Sequence, residues 1–430
     1  MRRFNFQDAD FPAQFGAFAD ARRDTPETVD AAVREVLDAV RARGLEALLD
    51  FTRRFDGVEL DAEGLGVSAE VIAEGAAACA PEVREAIAFA ARRIEAYHAR
   101  QRPADVRFTD EAGVELGWRW TPLDSVGIYV PGGRAAYPST VLMNAVPARA
   151  AGVGRIAMVT PPGRLQPAVL AAAHAAGVSE IWRVGGAQAV AALAYGAGPI
   201  RPVDKIVGPG NAWVTAAKRR VYGQVGIDAL AGPSEILVVA DAANDPAWIA
   251  ADLLSQAEHD PTSQCILITD DAAFADRVVA EVEAQLKTLA TGETAARSWA
   301  DHGAVILAPL DETAALVDRL APEHVELAIA DPEALSNRIR HAGAIFLGPY
   351  TPEALGDYVA GSNHVLPTSR AARFSSGLSL YDFLKRTSLV KVGEAGFAVL
   401  GPPTVALAEA EGLPAHARSA ALRLSLSQGG

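Results

Sequence analysis

The chain has 430 residues, half of them apolar and 21% charged, which permits a large buried core and argues against general disorder. Lys and Arg number 39 against 53 Asp and Glu, a net charge of −14, and this excludes the broad basic face that nucleic acid or an anionic membrane requires. Two cysteines, Cys79 and Cys265, rule out a disulfide framework or a Cys-rich zinc finger, and both read as core thiols.

At about 150 residues per domain the length predicts roughly three domains. The N-terminal MRRFNFQDADF lacks the apolar stretch of a signal peptide, and no apolar run reaches about 18 residues. The expectation is a cytoplasmic protein with no membrane or nucleic-acid partner.

Residues 1–25 read as an N-terminal arm. From Pro26 to His98 the pattern is helical: Val29, Val33, Val36, Leu37 and Val40 recur at three- and four-residue spacings, and a second run covers Pro81 to Tyr97. Short β runs then alternate with helical stretches, the mark of parallel α/β sheets. One set has strands near Val126–Val130, Arg155–Thr160, Glu180–Val184 and Lys205–Val207. A second has strands near Ile236–Ala240, Cys265–Thr269, Ala304–Leu307, Val325–Ile329 and Ala344–Leu347. After about Tyr381 the pattern returns to helix, with a break at Gly412 and a restart at Pro414. The expected fold is α/β, with two Rossmann-like doubly wound parallel sheets, a helical N-terminal arm and a helical C-terminal tail. The expected boundaries are 1–25 for the arm, 26–128 for a helical segment and the first part of the catalytic domain, 129–234 for the first Rossmann-like domain, 235–380 for the second, and 381–430 for the tail. No residue-level repeat links the two sets.

Four glycine turns, VPGG (130–133), VGGAQA (184–189), VGPGNAW (207–213) and AGPSE (231–235), fall in the first set. Glycine lets the backbone approach a ligand, and free N–H groups at a helix start attract phosphate. None matches G-x-G-x-x-G, so a nucleotide or phosphate ligand and plain connecting turns remain equally open on these residues.

Eight histidines are present; His98, His174, His302 and His341 read as structural or solvated. SQAEHD (255–260) ends a helix that starts at Asp245-Pro246, a cap followed by proline. Gln256 and His259, three apart, leave one helical face, and an imidazole with an amide or carboxylate oxygen suits Zn²⁺. PEHVEL (322–327) sets Glu323 beside His324 at the entry to a strand. Adjacent strand residues face opposite ways, so both serve one site only if the backbone is irregular there. The loop 353–367 adds Asp357, Asn363 and His364, and 408–420 adds Glu411 and His416 across a helix break. A zinc site needs Gln256, His259, Asp357 and His416 to meet, which spacing does not decide.

Taken together, GIYVPGG, YPSTVLMNAVPA, GGAQAVAALAYG, VGPGNAWVTAAKR, AGPSEILV, SQAEHDPTSQ, LAPEHVEL, GDYVAGSNHVLPT, SSGLSLYDFLKRTS and EGLPAHARSAALR resemble the histidinol dehydrogenase family, from about residue 26 to the end. The resemblance implies a zinc- and NAD-dependent four-electron oxidation of L-histidinol to L-histidine through L-histidinal, the last step of histidine biosynthesis. It implies one zinc ion per subunit on Gln256, His259, Asp357 and His416. Glu323 and His324 become the acid–base pair, and Tyr129, Gln188 and Asn211 the NAD contacts in 129–234. Ser234, Gln256, His259, His324, Asp357, Glu411 and His416 surround the substrate. The family also implies an intertwined homodimer, with Glu411 and His416 completing the neighbour's site.

The residue types agree with that chemistry. His324 suits the removal of the hydroxyl proton as hydride leaves, and Glu323 the activation of water for the second oxidation. No cysteine stands near these motifs, which disfavours a thiohemiacetal route. A paralogous zinc/NAD dehydrogenase of another amino alcohol or a sulfonated diol is the alternative. The intact EGLPAHARSA tail favours histidinol. A zinc hydrolase would leave the glycine turns unexplained, and a non-catalytic nucleotide-binding protein would leave the Glu323–His324 pair unexplained.

Overall fold

Strands covered on both faces must be apolar nearly throughout, and RIAMVT (155–160), EILVVA (235–240) and QCILIT (264–269) meet that condition. The computed structural model, which describes residues 1–21, 27–132, 137–163 and 165–426, makes each of them a strand. Gly133 of VPGG lies outside the described residues. In chain order the strands are β1 Arg2–Asn5, β2 Gly66–Val67, β3 Val106–Thr109, β4 Glu115–Pro122, β5 Ser125–Tyr129, β6 Arg155–Thr160, β7 Glu180–Arg183 and β8 Lys205–Val207. They continue with β9 Gly226–Ile227, β10 Glu235–Ala240, β11 Gln264–Thr269, β12 Ala304–Leu307, β13 His324–Ala328, β14 Ala344–Leu347 and β15 Leu384–Lys391. The expected parallel strands agree with these to within a residue at each end.

The chain forms two units, Met1–Gln101 with Leu123–Asp382, and Arg102–Pro122 with the residues from Phe383 onward. The first unit holds two six-stranded sheets, β2-β7-β6-β5-β8-β9 and β1-β12-β11-β10-β13-β14. Within each, five consecutive parallel strands, β5 to β9 and β10 to β14, follow one plan: the first of the five is central, the next two extend to one side, and the last two to the other. β5 and β8 flank the reversal in one sheet, β10 and β13 in the other. Sequence comparison finds no repeat, yet the topology repeats. Alanine-rich helices such as Gly186–Tyr195 (GAQAVAALAY), buried along most of their length, cover the first sheet; small side chains allow that close approach.

Residues 1–25, expected as a helical arm, begin instead as a sheet edge. β1 pairs in parallel with β12 from Arg2↔Ala304 to Asn5↔Leu307, and Phe4, Phe11, Phe15 and Phe18 enter the core of the second sheet. The phenylalanines of FNF and FPAQFGAF are what tie these residues down, since their burial outweighs the ordering of a short segment.

The second unit contains a three-stranded antiparallel sheet, β15-β4-β3, followed by helices Glu394–Ala410 and Pro414–Leu426 packed on each other. The tail is therefore not wholly helical: β15 pairs with β4 from Leu384↔Pro122 to Lys391↔Glu115. LKRTSLVK shows little alternation because most of its side chains are exposed on both faces. The predicted break and restart are present, with Gly412 at φ 71° between the two helices. Among the described residues no helix is long and apolar enough to cross a membrane.

Candidate active site

Glu323 and His324 stand where the chain enters β13, after a backbone irregularity. Ala321 adopts φ 47°, a left-handed conformation that costs a non-glycine residue about 1–2 kcal/mol. Pro322 follows, and its carbonyl accepts from Gly343 N–H at 3.0 Å. The irregularity lets both side chains reach one neighbour. Glu235, first residue of β10, donates its N–H to Glu323 Oε2 at 2.9 Å, and its C=O lies 2.9 Å from His324 Nδ1. A carbonyl only accepts, so Nδ1 carries the proton and Nε2 presents its lone pair. Glu235 is itself held, since its Oε1 accepts from Ser369 N–H at 3.2 Å.

His324 Nε2 has no hydrogen-bond partner and lies 3.6 Å from Glu353 Oε1, which also has none. Glu353 opens the helix Glu353–Tyr358, and Asp357 follows four residues later on the same face. Gly356 presses this helix onto β14, where a Cβ would sit 2.5 Å from the Phe346 ring. One ligand atom each from His324, Glu353 and Asp357 lie within 4.8 Å of one another. Ser255 Oγ donates to Glu353 Oε2 at 3.1 Å, which joins the helix Pro246–Ala257, ending beside Gln256, to the helix bearing Asp357.

Burial dominates the electrostatics here. It pushes His324 below the usual histidine range, against the raising influence of the Glu353 charge and the Glu235 carbonyl, so the neutral imidazole is favoured. Glu323 is pushed well up by burial, opposed by the Glu235 N–H and reinforced by the charges of Glu235, Asp357 and Glu353. Asp357 is raised by burial and by the charge and hydrogen bond of Glu353. His364, whose Nδ1 lies 3.2 Å from the Asp357 carbonyl, is pushed down to about 4, chiefly by burial. Carboxylates crowded in this way need a proton or a cation to share.

The donor set fits a divalent metal. Asp357 and the orphaned Glu353 Oε1 are hard oxygen donors, Gln256 is buried with its Nε2 unpaired, and His259 follows at the end of the same helix, exposed. The His259 charge acts on both His324 and His364, lowering each. Gln256, His259 and Asp357 thus lie on adjoining pieces of the first unit, while His416 and Glu411 belong to the second unit and are exposed. Ser234 directly precedes Glu235, and its carbonyl accepts from Gln264 N–H at 2.9 Å.

Three carboxylates were not legible beforehand. Glu353 lies in PEALG, which reads as an ordinary helix start. Asp252 and Glu326 face each other across the helix Pro246–Ala257 and β13 and share a side-chain hydrogen bond. Burial first, then Asp252, pushes Glu326 up to about 9, and Asp252 is raised to about 6, chiefly by burial. The Glu326 carboxylate also accepts from the Glu353 N–H, anchoring the start of the helix that carries Glu353 and Asp357. A glutamate inside an otherwise apolar strand, HVELA, was the available signal.

Three of the four glycine turns lie at the carboxyl ends of β5, β7 and β8, of which β5 and β8 flank the reversal point where α/β sheets receive ligands, whereas AGPSE leads into β10. Tyr129 ends β5, is buried, and accepts from Gly186 N–H at 3.0 Å through its hydroxyl; burial first pushes that hydroxyl up to about 12. Gly208 has φ 108°, and a Cβ there would lie 2.3 Å from the Tyr129 carbonyl oxygen. Gln188 is buried with Nε2 3.4 Å from Asp56 Oδ2. Asn211, an exposed residue, caps the helix Ala212–Val221 through Oδ1, accepting from Trp213 N–H at 3.1 Å and Val214 N–H at 3.2 Å. At the corresponding ends of β10 and β13 in the second sheet, Asn244 Nδ2 donates to the Ala328 carbonyl at 2.6 Å, and Asp241 Oδ2 accepts from Ala330 N–H at 2.9 Å.

The sequence model of a family described as histidinol dehydrogenase matches residues 20–424. A histidinol dehydrogenase from Caulobacter vibrioides is 75% identical over 424 residues, covering 99% of each chain, and one from Rhizobium meliloti is 59% identical over 431 residues, covering 100% of this chain and 99% of its own. The crystal structure of a histidinol dehydrogenase from Elizabethkingia anophelis superposes with a TM-score of 0.94 at 36% identity, covering 100% of this chain and 99% of that one.

Proposed function

The chain belongs to the histidinol dehydrogenase family, whose reaction is the last step of histidine biosynthesis, and we propose that it oxidises L-histidinol to L-histidine in two NAD-dependent steps through L-histidinal. The observation that carries the assignment of roles is the hold of one residue's backbone, that of Glu235, on both Glu323 and His324.

In the first step His324 Nε2 takes the substrate's hydroxyl proton; its tautomer is already set by the Glu235 carbonyl, so no reorganisation precedes transfer. In the second, Glu323 takes a proton from the water that adds to the aldehyde while the protonated His324 returns its proton to the aldehyde oxygen; His324, neutral again, then accepts a hydroxyl proton of the hydrate as the second hydride leaves. A nicotinamide dinucleotide, which the turns carrying Tyr129, Gln188 and Asn211 would hold, would supply the hydride acceptor for both oxidations. A zinc ion on Gln256, His259, Asp357 and His416 would grip the imidazole and amino nitrogens of the substrate, orienting it. Glu353 and Asp357 supply the negative charge that offsets such a cation, and Ser234 borders the substrate beside Glu235.

His416 and Glu411 belong to the second unit, and in the proposed homodimer they complete the site of the neighbouring subunit. The test is NADH production by the purified protein with L-histidinol and NAD. Two NADH per histidinol consumed supports the reading; one NADH, or turnover without a nicotinamide cofactor, sinks it.

A further inference from the structure

We propose that the buried Lys218–Asp228 ion pair is a positioning element for the dinucleotide, holding the turn 208–211 in the shape that receives it. The inference rests on the reading that NAD binds at that turn. Lys218 lies in the helix Ala212–Val221, and its ammonium reaches back beyond the start of that helix to donate to the Gly208 carbonyl at 2.9 Å. Its ion-pair partner, Asp228, accepts from the Gly208 N–H through Oδ2 at 2.7 Å. The two side chains are only 3% and 4% exposed. Both polar groups of one glycine are therefore gripped by the opposite charges of a single buried pair.

Gly208 sits at φ 108°, with no room for a Cβ against the Tyr129 carbonyl, so the backbone alone must be held in a conformation that glycine does not prefer over others. Burying two charges costs desolvation, and apolar residues of similar volume often stabilise a fold as well or better. What an apolar pair lacks is directional hold on an N–H and a C=O. Three residues later Asn211, an exposed residue, turns the chain into the helix by accepting through Oδ1 from Trp213 and Val214 N–H. The clamp thus fixes the approach of the segment that is to meet the cofactor, while touching no cofactor itself. A turn held before binding loses less freedom on binding.

The experiment is a fluorescence titration with NADH, made alongside steady-state kinetics, on the full-length protein. Lys218→Met with Asp228→Asn removes both charges together, keeps an acceptor for the Gly208 N–H, and removes the donor to its carbonyl. The clamp predicts that this folded double variant binds NADH about tenfold more weakly or worse. The KM for NAD should rise with it, while the KM for L-histidinol stays within about twofold of the parent. Unchanged NADH binding in the folded variant overturns the proposal, as does an equal rise in both KM values, which marks a merely structural role. Asn211→Ala separates the two levels: if the parent binds NADH and Asn211→Ala does not weaken it, the location of the cofactor is wrong rather than the clamp. Should the double variant not fold, amide exchange in the cofactor-free parent decides. A Gly208 amide protected like the sheet core upholds the clamp, and one exchanging like an open turn removes it.

Discussion

Glu353 Oε1 and His324 Nε2 face each other at 3.6 Å, both buried and both without a hydrogen-bond partner. Unpaired buried polar atoms are costly, and two of them aimed at one point mark the place where a substrate or a cation belongs. Glu353→Gln keeps the shape and removes the charge. It should lower kcat/KM for L-histidinol about 10²-fold or more and leave NADH binding intact. A variant as active as the parent would show Glu353 to be a bystander.

The division of labour between Glu323 and His324 is separable with the two substrates. His324→Asn should slow the oxidation of histidinol and of histidinal alike, by about 10²–10⁴-fold. Glu323→Gln should slow mainly the oxidation of histidinal, which consumes water. Equal losses in both half-reactions of the Glu323 variant would end the proposed assignment.

Metal removal gives a third outcome. Chelation should abolish turnover and zinc should restore it, with bound metal returning to one ion per subunit by elemental analysis. Asp357→Asn should reduce metal content together with activity, because it removes the one charged ligand of the proposed set. Full activity in metal-free protein would exclude the site.

Away from the site, Glu180 is pulled down to about 2, first by its paired hydrogen bonds to Arg155 at 2.8 and 3.0 Å, then by Arg201. Its folded value lies below its unfolded one, so its contribution is complete above the unfolded value near 4.5 and is lost as pH falls toward 2. Allowing for solvent screening, Glu180→Gln should cost about 1 kcal/mol at pH 7. Thermal denaturation should show the gap between variant and parent narrowing as pH drops from 5 to about 2. A gap independent of pH would assign the cost to packing.

Shared sites predict complementation. His324→Asn and His416→Asn chains, each inactive alone, should regain part of the activity when unfolded and refolded together. If the mixture stays inactive, each subunit builds its own site.

Much was legible in the residues. The parallel strands could be read because burial on both faces demands uninterrupted apolar runs, and the helix at Asp245-Pro246 because capping is a local rule; Asp245 does accept from Ala247 N–H at 2.9 Å. The strand β15 escaped because exposure on both faces erases the alternation that marks a strand. β1 escaped because its pairing partner, β12, lies about 300 residues away.

For the site, local chemistry singled out Glu323, His324, Gln256, His259 and Asp357, since adjacent titratable residues at an element boundary are visible in one dimension. Glu353, Asp252 and the Lys218–Asp228 pair were not, because each looks like an ordinary surface charge until its burial is known; Glu326 carried only the signal of a glutamate inside an apolar strand. Whether a carboxylate is a solvated ornament or an unpaired charge depends on what covers it, and coverage comes from chain segments remote in sequence. Residue order therefore determined most of the elements, the chemistry at hand and the family; only the packed sheets decided that the backbone of Glu235 would hold both members of the acid–base pair, and that Glu353 would stand against them.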